Sequence, residues 1–492
     1  MIKLLSAIVL LLVVEVNFSF AGKNVVCYYG TWANYRTGAG KFTVENIDPA
    51  LCTHLIYSFF GLNADGTVAI LDAWLDLPDN YGLNAIGRLN KLKTLNPSLK
   101  TLAAIGGWNW GSAKFSTVAK SATLRSKFAT EARAFCLKYG FDGIDIDWEY
   151  PAQRDGDASV DKANFVLMLK DLNTELKKYG LLLTVAVGAA EGSASISYDI
   201  PQISNNVDFI NLMEYDFHMA SDGITGNNAP LYAGSADVTT TQKQLNVFSS
   251  VQYWLSKGAP ADKLNLGMPL YGRTFTLASA SNNGVGAPVT GAGVQGPYTQ
   301  EPGFMGYNEI CERKLTGTWT EVFDNVQMVP YTYSGNQWVG FDNVKSITEK
   351  CNFIKTNGLA GGMFWSIETD DFLGKCGPKF GLISTLKSCL GTSTGSGSSG
   401  TTTTTTTTTT KPVTIPPSTT TTTKQPVFTT TTKATTSGSF TCTTTGYFRD
   451  PVDCSKFYYC QGTYRYDFVC PAGLYFVPAT VVCDWPQNVK CP

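Results

Sequence analysis

The stretch from Phe141 to Pro151, FDGIDIDWEYP, places an acidic residue at every second position of a segment that otherwise reads as a β-strand. Strand side chains alternate between faces, so Asp145, Asp147 and Glu149 share one face while Ile144, Ile146 and Trp148 take the other. The apolar flanks predict burial on both sides. An unpaired buried carboxylate costs on the order of several kcal/mol, so three in succession argue for chemistry or a metal rather than packing. A solvated edge strand is the competing reading, because alternating polar positions usually face water.

At 492 residues the chain is too long for one ordinary core, and its composition divides it into sections. Lys3, the apolar run Leu4 to Val14 and the small-x-small site Ser19-Phe20-Ala21 make residues 1–21 an expected signal peptide. No later stretch is long and apolar enough to span a bilayer, so a soluble, secreted, extracellular protein is expected. The formal net charge of −1 argues against nucleic-acid and anionic-membrane partners. In a secreted chain, 13 cysteines favour disulfides, and with only two histidines, His54 and His218, no metal motif survives. No cofactor is expected.

From residue 22 to about 390, β-rich runs alternate with amphipathic helical segments. Candidate strands are Asn24 to Tyr29, Leu55 to Phe60, Thr101 to Ile105, Gly143 to Trp148, Leu182 to Val187, Phe209 to Tyr215, Leu264 to Pro269 and Gly361 to Trp365. Eight strands favour a closed α/β fold, the (β/α)8 TIM barrel, over an open doubly wound sheet, and no Gly-rich phosphate turn follows the first strand. Between the seventh and eighth strands, about 271–341, the composition predicts a small inserted α+β domain on the upper rim. Residues 391–438, with ten consecutive threonines at 401–410, read as an extended Ser/Thr-rich linker. Residues 439–492 hold six cysteines, Cys442, Cys454, Cys460, Cys470, Cys483 and Cys491, and read as a small disulfide-stapled β module. Its crowded aromatics suit a platform for sugar faces as well as a mini-core.

In a parallel barrel, functional residues sit at the C-terminal ends of strands. Glu149 is then the last inward residue of the fourth strand, with Asp147 and Asp145 successively deeper, about 6.5 Å apart along the backbone. Three carboxylates this close share protons and raise at least one pKa, which prepares Glu149 as a general acid. Two residues at i and i+2 of one strand approach a sugar from the same side, so Asp147 is a poor covalent nucleophile. If the reaction is glycoside cleavage, the substrate's own 2-acetamido oxygen can serve instead, with Asp147 orienting it.

Residues 22 to about 390 resemble a glycoside hydrolase family 18 chitinase of the arthropod type. DGIDIDWEYP at Asp142 to Pro151 matches that family's D-G-x-D-x-D-W-E-Y-P without a gap, and CYYGTWANYR, AIGGWNWG, NLMEYDFH, GMPLYGRTF and GGMFWSIETDDF follow in the family's order. The resemblance implies Glu149 as acid/base, Asp147 as partner of the acetamide, Asp145 as the deeper proton-sharing carboxylate, and Tyr215 with Asp216 completing the acetamide pocket. It also implies substrate contacts from Tyr28, Phe59, Trp74, Gly106, Gly107, Trp108, Asn109, Tyr150, Met213, Tyr271, Arg273 and Trp365. The sequence departs from the family's usual pattern at Glu214, where a small residue is commoner, and at Ser221, where many relatives carry a tryptophan. Strand alternation turns Glu214 away from the pocket that Met213 and Tyr215 face.

The resemblance further suggests disulfides Cys27–Cys52 and Cys311–Cys376, while Cys351 with Cys389 is expected from helix proximity, leaving Cys136 free and buried. The tail resembles a peritrophin-A type chitin-binding domain, whose pattern pairs Cys442 with Cys460, Cys454 with Cys491, and Cys470 with Cys483. Together these imply a retaining endochitinase whose partners are chitin and chito-oligosaccharides, and a monomer is expected. A chitinase-like lectin, which typically lacks the acid, and an endo-β-N-acetylglucosaminidase remain as alternatives.

Overall fold

The structure, a computed structural model, describes residues 22–391 and, apart from 445, 462–463, 471–473, 479–481 and 485, residues 440–491. The expected signal peptide and nearly all of the expected linker lie outside the described residues. The chain divides into two compact units.

The first unit is built on eight parallel strands, Asn24–Gly30, His54–Leu62, Lys100–Gly106, Gly143–Asp147, Leu182–Gly188, Phe209–Met213, Leu264–Pro269 and Gly361–Trp365. The first pairs with both the second and the last, which closes the barrel. Their near-continuous apolar runs follow from burial on both faces. The outer faces pack beneath helices such as Ala122–Tyr139, Asp161–Leu176 and Val344–Thr356. The helix Ala122–Tyr139 is capped by Ser121 and stops at Gly140, whose left-handed backbone (φ 80°) releases the chain into the acidic strand.

Two strands end earlier than the sequence-based expectation. The fourth ends at Asp147 rather than Trp148, because the Asp147 carbonyl is taken by the Gly107 amide at 2.9 Å and the chain leaves the sheet. Glu149 therefore stands in the loop beyond the strand. The sixth ends at Met213 rather than Tyr215, where the Glu214 amide turns back on the Leu212 carbonyl at 3.0 Å.

The segment between the seventh and eighth barrel strands folds as an α+β unit. Its strands are Tyr271–Leu277, Val289–Ala292, Phe304–Gly306, Thr320–Asp324, Val329–Ser334 and Gln337–Gly340, all antiparallel, with the helix Tyr307–Leu315. Phe275 and Trp338 centre its own small core. Disulfides join Cys27 to Cys52, Cys311 to Cys376 and Cys351 to Cys389, and Cys136 is a buried free thiol.

In the C-terminal unit a three-stranded antiparallel sheet, Gly446–Arg449, Lys456–Gln461 and Tyr464–Val469, accompanies the hairpin Tyr475–Val477 with Val482–Asp484. Disulfides join Cys442 to Cys460 and Cys454 to Cys491, and Cys470 is also disulfide-bonded. The Cys483 side chain lies outside the described residues. Phe457 stacks on Phe476 in a mini-core with Cys470 and Leu474. Of the aromatics expected to face a ligand, the side chains of Tyr459, Tyr464, Tyr466, Phe468 and Trp485 are also outside the described residues.

Candidate active site

Within the barrel, the acidic strand turns Asp145 and Asp147 inward, and both are buried. Asp145 Oδ1 accepts from Thr184 Oγ1 at 2.5 Å and Oδ2 accepts from the Tyr28 hydroxyl at 2.7 Å. Burial still pushes the Asp145 carboxyl up to about 6, against the lowering effect of those donors. One level higher, Asp147 Oδ1 has no hydrogen-bond partner among the described residues. Burial first, then the charges of Glu149 and Asp145, raise Asp147 well above the usual carboxylate range.

Glu149, at the mouth, is 9% exposed. Burial lifts it to about 7, and Asp216 adds to the rise, while a hydrogen bond from Tyr150 and the charge of Arg154 oppose it. Such a carboxyl holds a proton near neutrality and can give it up to a leaving oxygen. The three acids thus run from a doubly hydrogen-bonded carboxyl inside the barrel, through one with an unpartnered oxygen, to a proton donor at the rim.

Glycines let the third strand approach. Gly106 and Gly107 both have positive φ (123° and 85°), and a Cβ at Gly106 would stand 2.0 Å from the Asp147 carbonyl oxygen. After the sixth strand, Asp216 (φ 59°) is held by the Tyr271 hydroxyl at 2.6 Å and by Arg273, whose Nε and Nη2 reach its two oxygens at 2.6 Å each. The inserted unit therefore contributes two residues to the rim. Tyr215 and Met213 pack with Tyr28, Phe59 and Trp365 against the apolar lining inside the barrel.

Trp365, at the end of the eighth strand, stacks with Phe59 at 5.6 Å and lies 6.0 Å from Trp32. Trp108 opens the turn after the third strand and is 58% exposed, with Asn109 exposed beside it. Trp74 is exposed and stacked at 6.4 Å on Tyr35. A cavity of about 490 Å3 is lined in part by Trp32, Tyr35, Tyr298, Phe304 and Trp365, and Asp145, Asp147 and Glu149 are not among its lining residues.

Several participants escaped residue-level assignment from sequence. Trp32 and Tyr35 lie within CYYGTWANYR, whose spaced aromatics were the available signal. Thr184 and Asn211 had only their polarity within apolar strands to mark them. Arg154, which donates Nη1 to the carbonyls of Trp108 (2.7 Å) and Glu149 (3.0 Å) and covers the Trp108 ring at 4.1 Å, carried no signal.

Glu214 points away from the pocket and is fully buried. Its Oε2 accepts from the Gly267 amide at 3.1 Å, while Oε1 has no partner among the described residues. Burial raises it well above the carboxylate range, and the opposing charge is Lys350, itself paired with Asp342 at 2.7 Å. Ser221 is exposed in the turn Ala220–Asp222.

A closed parallel barrel with a buried acid ladder ending at an aromatic-walled mouth defines a glycan-cleaving class of enzyme. Residues 24–370 match Glycosyl hydrolases family 18 and residues 442–491 match the Chitin binding Peritrophin-A domain, and the chain belongs to family 18. It is 44% identical to the Drosophila melanogaster protein named Probable chitinase 2 over 366 residues, 72% of this chain and 73% of that one. With mouse Chitotriosidase-1 it shares 37% identity over 482 residues, 94% and 95% of the two chains. Among solved structures, the Ostrinia furnacalis Group IV chitinase in complex with allosamidin is 48% identical, with a TM-score of 0.72 over 75% of this chain and 99% of that one. Human YKL-39, described as a pseudo-chitinase that retains chitooligosaccharide binding, is 39% identical with a TM-score of 0.69, over 75% of this chain and all of that one.

Proposed function

We propose that the protein is a secreted endochitinase that cleaves β-1,4 bonds between N-acetylglucosamine units with retention of configuration, held on its polymer by the C-terminal domain. The observation that carries the reaction is the unpartnered Asp147 oxygen between Asp145 and the proton-bearing Glu149. Glu149 gives its proton to the glycosidic oxygen as the bond to C1 breaks. The acetamido oxygen of the same sugar closes on C1, and Asp147 accepts the acetamide N–H, whose acidity rises as positive charge develops. Tyr215 and Asp216 enclose that group, and Trp365 supports the ring that distorts. Water then attacks C1 from the face vacated by the leaving group, Glu149 takes its proton, and the acetamide is released with β configuration.

The aromatic path Trp365, Trp32, Tyr35 and Trp74 suits the apolar faces of successive sugars, and this length of binding surface supports internal cleavage. A lectin reading leaves the proton at Glu149 without a purpose. For secretion, the support is the sequence of residues 1–21, the disulfides, and the finding that no helix among the described residues is long and apolar enough to cross a membrane. Proton NMR of chitopentaose during early turnover tests the mechanism: β-anomeric reducing ends are expected before mutarotation, and α-anomers overturn it. N-glycan release from glycoprotein with chitopentaose left intact would instead support the endo-β-N-acetylglucosaminidase alternative.

A further inference from the structure

A line of polar side chains runs through the otherwise apolar barrel to Asp145, and the reaction derived above leaves most of it unused. Asn24 on the first strand donates Nδ2 to Asn265 Oδ1 at 3.2 Å, and Asn265 on the seventh donates Nδ2 to Asn211 Oδ1 at 3.0 Å. Asn211 on the sixth donates Nδ2 to the Tyr28 hydroxyl oxygen at 3.1 Å, and Tyr28 donates in turn to Asp145 Oδ2 at 2.7 Å. Asn211 and Asn265 are register partners, and both are fully buried. Gly361, in register with both Asn24 and Asn265, has no side chain to separate them.

Interior positions of such barrels are ordinarily filled by branched apolar residues. A buried amide with unmade hydrogen bonds costs ~1–3 kcal/mol, so the orientations of these carboxamides are coupled to one another. A carboxamide has an accepting end and a donating end. All the links run the same way, from Asn24 toward Asp145. Because Asn211 presents its N–H to Tyr28, the phenol oxygen accepts on that side and its one proton points at Asp145. A reversed Asn211 amide would draw the Tyr28 proton to its own oxygen and strip Asp145 Oδ2 of a donor. Asn265 opposes that reversal by occupying Asn211 Oδ1, so that Asn211 can turn over only if Asn265 and Asn24 turn with it.

We propose that Asn265 and Asn211 are positioning residues that lock the Tyr28 hydroxyl onto Asp145, so that Asp145 remains the unprotonated member of its pair and the proton stays on Asp147. The kinetic consequence rests on the reaction proposed above. The groups bearing on Asp145 are Asp147 on its own strand, Tyr28 from the first, Thr184 from the fifth and Asn211 from the sixth, with Tyr215 acting on Tyr28. With Thr184 on one oxygen and Tyr28 on the other, neither oxygen of Asp145 readily holds a shared proton.

The test is a carboxyl 13C titration of the full chain labelled at aspartate, with the Asp145 signal assigned by Asp145→Asn. Wild type is compared with Asn265→Leu, Tyr28→Phe and the double variant. Asn265→Leu should move the Asp145 midpoint up by about half a pH unit, and Tyr28→Phe by roughly one to two units. The double variant should shift by less than the sum of the two single shifts, because the relay acts mainly through that hydroxyl, with Asn211 also bearing on Asp145 directly. On chitopentaose, the acid limb of kcat should rise with the midpoint while KM stays within about twofold. An unmoved midpoint in Asn265→Leu, or additive shifts in the double variant, overturns the proposal. If Asn265→Leu does not fold, Asn24→Leu at the partly exposed end of the relay should shift the midpoint in the same direction by less, and no shift there counts against the relay. Because the titration is read in the folded protein whether or not chitin is cleaved, failure of the relay is distinguishable from failure of the reaction.

Discussion

Replacing Arg154 with glutamine probes the coupling between the exposed platform and the acid. The guanidinium lies 4.1 Å over the Trp108 ring and bonds the Trp108 and Glu149 carbonyls at 2.7 and 3.0 Å. At an exposed site the ring contact contributes ~0.5–1 kcal/mol, and each hydrogen bond, discounted for solvent, ~0.5 kcal/mol. Losing the two contacts to Trp108 frees it by ~1–1.5 kcal/mol, which predicts a rise in KM of about five- to tenfold for chito-oligosaccharides. The charge acts separately. A cation beside Glu149 favours its carboxylate, so removal raises the Glu149 pKa above its present value of about 7. The acid must be protonated to work, so the alkaline limb of kcat should move to higher pH. Initial rates on chitopentaose between about pH 4 and 10 measure both effects. Arg154→Lys should keep the limb and lose most of the KM advantage, since it restores a charge but not the planar fork. A KM within twofold of wild type together with an unmoved alkaline limb refutes the coupling.

Three further perturbations follow from the same geometry. Asp147→Ala should lower kcat on chitopentaose by about 100-fold or more while oligosaccharide binding, measured by calorimetry, is largely kept; unchanged kcat would remove the acetamide role. Ending the chain at residue 390 should slow hydrolysis of crystalline chitin severalfold and leave soluble oligomers untouched, and equal losses on both would remove the anchoring role. Glu214 has a folded pKa raised above its unfolded value, so the stability it contributes is present at low pH and is lost as pH rises through the folded value. Glu214→Gln should therefore match wild type in Tm near pH 4 and exceed it near pH 8, by ~1–2 kcal/mol of stability; a lower Tm at pH 8 would show that the Lys350 interaction outweighs burial.

The barrel was legible because its strands are short apolar runs at regular spacing, and the acid ladder because charge in such a run has few explanations. Strand ends were less so. That Asp147 rather than Trp148 closes the fourth strand depends on the Gly107 amide, a contact from another strand that no local pattern encodes. The insertion's antiparallel strands followed from its composition, whereas the helix Tyr307–Leu315 carried no such signal. The polar support of Asp145 was mostly hidden, since Tyr28, Thr184, Asn211 and Asn265 come from the first, fifth, sixth and seventh strands. Asn211 and Asn265 were nonetheless visible as amides inside apolar strands. Their burial was readable, but their convergence was not, because barrel closure and register bring them together. Glu214 shows the opposite case: alternation alone turned it from the pocket, while its closeness to Lys350 required the helix to be in place.

The central claim is that the proton reaching the glycosidic oxygen comes from Glu149. Reducing-end release from colloidal chitin by wild type and Glu149→Gln, with both shown to be folded and to bind chito-oligosaccharide, tests it most directly. The glutamine keeps the shape and cannot supply the proton, so a rate loss of about 1,000-fold is expected with binding intact. Equal release by the two proteins would contradict the account.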